Sequence, residues 1–127
     1  MKYMLSIYHD EQAWNHLSEA ERQQVYREYR QLIQELQSRQ QYLAGDQLQS
    51  TSTASSVRVR DGKQVVTDGP FAETREQLGG FFLIEANSLD EATGIAARIP
   101  SARMGTVEVR PAVEAAAATP NQTEATP

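Results

Sequence analysis

Asp68-Gly69-Pro70-Phe71-Ala72-Glu73-Thr74-Arg75-Glu76-Gln77-Leu78-Gly79-Gly80-Phe81-Phe82-Leu83-Ile84 is the stretch on which the fold turns. An Asp-Gly-Pro turn signal runs into a charged segment, Glu73 to Glu76. A Gly-Gly pair then opens the most apolar run of the chain, Phe81 to Ile84. Glycine admits backbone angles closed to other residues, and proline fixes φ and donates no hydrogen bond. Polar side chains on so constrained a turn are held in few geometries, which serves a binding site and a structural turn equally. The run from Phe81 to Ala86 is expected to be a buried strand at the centre of a sheet.

Upstream, Tyr3, Leu5 and Ile7 alternate with Met4, Ser6 and Tyr8, the period of a first strand with large side chains on both faces. His9, Asp10 and Glu11 follow at its end. Trp14 and Leu17 are expected to anchor a connecting loop. Ser18-Glu19-Ala20-Glu21 has the form of a capping box. After it, Val25, Tyr29, Leu32, Ile33 and Leu36 share one face of a helix ending near Arg39. Tyr42 to Leu48 reads as a short second strand. A Ser/Thr-rich connection leads to Val57 and Val59, then Asp61-Gly62, then Val65 to Thr67. This is a β-hairpin signal, because both central turn positions favour positive φ.

Beyond the apolar strand, Ser88-Leu89-Asp90-Glu91 repeats the capping pattern. Leu89, Ala92, Ile95, Ala96 and Ile99 then form a helix that Pro100 stops. Val107 and Val109 mark a last strand. The order is strand, helix, strand, hairpin, strand, helix, strand. Without the hairpin this is the ferredoxin-like split β-α-β pattern, an α+β fold with both helices on one sheet face. The uncovered face, with Met4, Tyr8 and half of the apolar strand, is expected to pair with a second copy, giving a homodimer with a cleft between sheets.

A length of 127 residues fits one domain, taken as 1–114 and followed by a disordered tail, 115–127, that has little apolar surface to bury. There is no cysteine, so disulfides, thiolate metal sites and cysteine nucleophiles are excluded. The net charge of −5 offers no footprint for nucleic acid or an anionic membrane, and no run is long enough to span a bilayer. The start of the chain lacks the form of a signal peptide, so a soluble cytoplasmic protein is expected. Phosphate loops, dinucleotide fingerprints, nucleophile elbows and HExxH are all lacking, so no cofactor or metal is expected.

The stretch from Asp68 to Phe81 closely resembles the DGPF family within the YCII-related superfamily, whose members commonly carry Lys where this chain has Arg75. Met1-Lys2-Tyr3-Met4-Leu5, Leu43-Ala44-Gly45, Thr53-Ala54 and Val107-Glu108-Val109-Arg110-Pro111 also look like family positions, so the resemblance covers about residues 1–114. It implies a dimeric α/β barrel of ferredoxin-like folds with an inserted β-hairpin. The wider superfamily includes proteins with a proposed His–Asp pair, the His on the first helix and the Asp near the end of the second. This chain departs at both places: Ser18 to Arg39 holds no His, and the second helix ends Ala97-Arg98-Ile99-Pro100. The resemblance also implies a regulatory neighbourhood, since such proteins tend to occur beside, or fused to, sigma factors of the extracytoplasmic-function type.

The candidate acid–base residues are Asp68, Glu73, Glu76 and His9. Paired carboxylates can share proton transfer or bind a divalent cation, and His9 followed by Asp10 has the look of an oriented imidazole. Against this, Asp68 before Gly-Pro is ordinary turn chemistry, with its carboxylate capping backbone amides, and Glu73 and Glu76 beside Arg75 read equally as a solvated loop. Tyr8, Gly69, Pro70, Phe71, Thr74 and Arg75 are the candidate ligand-binding residues. The leading expectation is a small molecule bound in the intersheet cleft beside the Asp68–Gln77 loop, with carboxylate acid–base catalysis as an extension. The alternative is a non-catalytic accessory module of a sigma factor. A cofactor-free monooxygenase follows by fold analogy alone.

Overall fold

The alternation of Tyr3, Leu5 and Ile7 becomes strand β1, Lys2–His9, and the apolar run becomes strand β5, Gln77–Glu85. The two pair antiparallel, with Leu5 opposite Phe82 and Tyr3 opposite Ile84. Strand β6, Thr106–Pro111, flanks β1 on one side, and strand β2, Tyr42–Gln47, flanks β5 on the other. The antiparallel order β2-β5-β1-β6 is that of a ferredoxin-like sheet. The computed structural model describes residues 1–113, so the expected tail, 115–127, lies outside the described residues.

Three helices accompany the sheet: α1, Glu11–His16; α2, Glu19–Ser38; and α3, Leu89–Ala97. Helix α2 opens on a complete capping box, with the Ser18 hydroxyl accepting from Glu21 N and the Glu21 carboxylate accepting from Ser18 N. Helix α3 realises only half of that pattern. Ser88 accepts from Glu91 N, but the Glu91 carboxylate takes Asn87 N and the Gln41 amide instead of Ser88 N. Pro100 ends the helical path by starting a 3-10 turn, Pro100–Arg103.

Both long helices lie on one face of the sheet, because Leu32, Leu36, Ala92, Ile95 and Ala96 share a single core with Tyr3, Leu5, Ile7, Phe82 and Ile84. No hydrophobic side chain between Leu36 and Phe82 is buried. The intervening chain forms a separate two-stranded hairpin, β3, Ser55–Arg60, and β4, Lys63–Asp68. Its turn is as the dipeptide requires, with φ of 53° at Asp61 and 74° at Gly62. Val57 and Val59 remain 59% and 63% exposed. On the sheet face away from the helices, Met4, Tyr8, Phe81 and Leu83 are half-buried.

Two expectations need correction. The Trp14–Leu17 segment is not simply a loop, because Asp10 Oδ1 accepts from Gln12 N at 2.9 Å and starts the six-residue helix α1. Leu89, assigned to the core face of α3, is 53% exposed, since it sits in the first helical turn ahead of the buried Ala92.

The core is thin but closed, and Leu36 is fully buried in it. Leu36→Ala is therefore expected to cost about 2–5 kcal/mol in urea unfolding, through lost transfer energy and the cavity left behind.

Candidate functional site

The end of β1 meets an irregularity in β5. Ile7 lies opposite Gly80, but Tyr8 lies opposite Leu78, so Gly79 is an extra residue that bulges the strand. The bulge reverses the phase of β5 below it. Gln77 rather than Leu78 then sits beside His9, and Leu78 turns outward, 42% exposed. A Cβ at Gly79 would overlap the His9 imidazole, so the ring occupies space that only glycine leaves free.

His9 borders a cavity of about 310 Å3 between the helix-covered sheet face and α2. Its floor is sheet: Ile7, Gly45, Gly79, Gly80 and Phe82. Its walls are Trp14 of α1, Tyr26, Tyr29 and Ile33 of α2, and Tyr42 of β2. The rings meet edge to face. Trp14 and Tyr26 have centroids 5.6 Å apart, Tyr29 and Phe82 6.1 Å, and Tyr42 and Phe82 5.2 Å. Ser101, buried, joins the lining, and its hydroxyl shares a 2.7 Å hydrogen bond with the Tyr29 hydroxyl. Burial pushes the Tyr29 and Tyr42 hydroxyls above their ordinary range, so both remain protonated at neutral pH.

Among the described residues, two buried side-chain polar atoms lack a hydrogen-bond partner, His9 Nδ1 and Glu35 Oε2. Glu35 is held against the Arg98 guanidinium. His9 Nδ1 has no such compensation, and an unpaired buried polar atom costs roughly 1–3 kcal/mol unless something supplies a partner. The cavity is thus a mainly apolar, aromatic-walled space with an imidazole on its border, the usual form of a small-molecule site.

The other sequence candidates lie elsewhere. Asp68 ends β4, exposed, and its carboxylate accepts no hydrogen bond among the described residues. The turn is held instead by Gly69 N donating to Ala54 O at 2.7 Å and the Ser56 hydroxyl donating to Gly69 O at 2.8 Å. The expected carboxylate cap is therefore absent, because backbone and Ser56 already close the turn. Pro70, Glu73 and Arg75 are exposed, and Phe71 is 82% exposed. The Thr74 hydroxyl donates to Glu76 O, and the Glu76 carboxylate accepts from the Thr106 hydroxyl at 2.9 Å. Tyr8 lies on the opposite sheet face from the cavity. Of the four acid–base candidates, only His9 lines it. Among the described residues no three His, Asp or Glu side chains gather as a metal would need.

The Asp68–Gln77 loop still reaches the site, through its last residue. Gln77 Oε1 accepts from Glu11 N at 3.3 Å, and Gln77 Nε2 donates to Thr74 O at 2.9 Å, which ties the loop to the start of α1. On the other side, the Glu11 carboxylate accepts from Thr51 N at 3.0 Å and the Thr51 hydroxyl at 2.6 Å. Helix α1 buries no residue of its own, so these two clasps hold Trp14 over the cavity. The signal for Trp14, Tyr26, Tyr29 and Tyr42 was present in their residue types, but their spacing shares no motif.

The Thr51 hydrogen bonds hold the Glu11 carboxyl below its ordinary value of 4.5. A lowered folded value makes the contribution complete at neutral pH and removes it as pH falls from 4.5 through the folded value. Thr51→Val should cost roughly 0.5–1.5 kcal/mol at neutral pH, toward the lower end because the carboxylate is largely solvated. In urea melts, the gap between wild type and variant should narrow at pH 3.

The YCII-related domain profile matches residues 1–116. An uncharacterised protein of Rhizobium meliloti (strain 1021) is 36% identical over 113 residues, which span 87% of this chain and 91% of that relative. With the sheet order and the helix-covered face described above, these matches place the chain: it belongs to the YCII-related domain family.

Proposed function

We propose that the protein binds a small, mainly apolar molecule in the cavity between α2 and the sheet, and that His9 is the polar side chain that engages it. The observation that carries this reading is the aromatic-walled space of about 310 Å3 with the His9 imidazole on its border. A neutral imidazole offers one donor and one acceptor, which also equips His9 to exchange a proton with a bound ligand. The residues from Asp68 to Gln77 then serve the site by bracing α1, and their motif supports assignment of the chain to the DGPF branch of the family.

Trp14 is the only tryptophan in the sequence and lines the cavity, so its emission reports occupancy. A library of single-ring and fused-ring compounds is expected to yield ligands that shift Trp14 emission. At a concentration of 100 times Kd they should raise the melting temperature by on the order of 10 °C, from about 2.7 kcal/mol of linkage. Ile33→Phe, which fills the space from α2, should remove both effects. Ligands that bind equally well to the filled variant would refute the site.

The hairpin and the outer sheet face support a homodimer. Val57, Val59 and Val66 are each more than half exposed in the protomer, and Met4, Phe81 and Leu83 face the same solvent only partly covered. Exposed apolar surface of this extent marks an association site. Sedimentation velocity at micromolar concentration is expected to show a dimer that Val59→Glu weakens at least about tenfold, the effect of desolvating one unpaired charge. A monomer at all concentrations would rule it out.

A further inference from the structure

The chemistry of the cavity lining restricts what it can hold, granted the reading above that it is a ligand site. Its lining contains no Lys or Arg. Asp46 is the one acidic residue there, but it stands opposite Phe81 on β5, out of phase with the inward-facing Gly45 and Gln47. Its carboxylate still acts on the lining, since beside burial it helps push the Tyr42 hydroxyl above its ordinary range. An anionic ligand therefore finds no Lys or Arg to pair with and a carboxylate nearby, and an unpaired charge brought out of water carries a large penalty.

The side-chain polar groups that remain are mainly hydroxyls. Those of Tyr26, Tyr29, Tyr42 and Ser101 each donate and accept, and the Gln47 amide and the His9 imidazole stand among them. A ligand hydroxyl, which donates and accepts, can bond a given ring nitrogen of His9 in either tautomer, whereas a carbonyl, which only accepts, bonds only a ring N–H. The rings of the walls supply aromatic contact, and about 310 Å3 stands at the small end of ligand cavities.

We propose that the ligand is a hydroxylated aromatic compound of one or two rings that carries no negative charge, its ring held between α2 and the sheet and its hydroxyl hydrogen-bonded to His9. An analogue lacking the hydroxyl forgoes the hydrogen bond to the imidazole, so discrimination against it exceeds what contact area alone would give. A carboxylate in the same place finds no cation.

The test is a matched set of p-cresol, toluene and 4-methylbenzoate, titrated calorimetrically with Trp14 emission followed in parallel. p-Cresol should bind several-fold tighter than toluene, within the roughly 2- to 10-fold that one hydrogen bond supplies, and 4-methylbenzoate should bind weakest. His9→Phe should erase the difference between p-cresol and toluene while toluene still binds. Should that variant fail to fold, the wild type suffices. The sequence holds two histidines, and p-cresol should shift the imidazole nitrogen resonances of His9 and leave those of the exposed His16 in place. Toluene or 4-methylbenzoate binding as tightly as p-cresol, with Trp14 responding, overturns the hydroxylated class and leaves the cavity as a ligand site. No response of Trp14 or of the melting temperature to any of the three overturns the site together with the class.

Discussion

One additional residue in β5 determines what stands at the end of β1. Had β5 kept strict alternation, Leu78 would face the helices beside His9, and an aliphatic side chain would close that end of the space. The bulge at Gly79 rotates Leu78 outward, brings Gln77 in, and leaves a hollow that the imidazole fills. Glycine is required because any Cβ would contest that hollow. From this single irregularity follow the position of His9, the reach of Gln77 to the start of α1, and through α1 the placement of Trp14.

The energetic division of the molecule reflects the same geometry. The buried core is assembled from residues 3 to 36 and 82 to 99, and it stabilises the sheet and long helices. The cavity sits at the margin of that core, where Ile7 and Phe82 still belong to the packed interior and Tyr29, Ile33 and Tyr42 are only partly covered. Its outer wall, α1, depends on polar clasps at Glu11 and Gln77 rather than on buried apolar area. Such an element opens at lower free energy than the sheet.

Much of the architecture was legible in the chain. The period of Tyr3, Leu5 and Ile7, the box at Ser18 and Glu21, the Asp61-Gly62 turn and the stop at Pro100 each encode structure locally, within a few residues. Helix α1 was not legible, since six residues with no buried side chain carry no apolar period. The site was harder still. Ile7, His9, Trp14, Tyr29, Tyr42 and Gly79 are brought together by sheet order and by a bulge, neither of which leaves a contiguous pattern. The Asp68–Gly80 stretch drew attention because its backbone chemistry is unusual, yet most of its side chains face water. Unusual turn residues specify a path for the chain, and the cavity lies where paths cross.

The hairpin has a different kind of consequence. Among the described residues strands β3 and β4 pair only with each other, and their segment gives no buried hydrophobic side chain to the core. A two-stranded ribbon of this sort is marginal in water when left alone. Its residues answer to few packing neighbours within the protomer, so its length and sequence can vary without disturbing the sheet. It is a module on which new contacts can be elaborated while the fold beneath stays fixed.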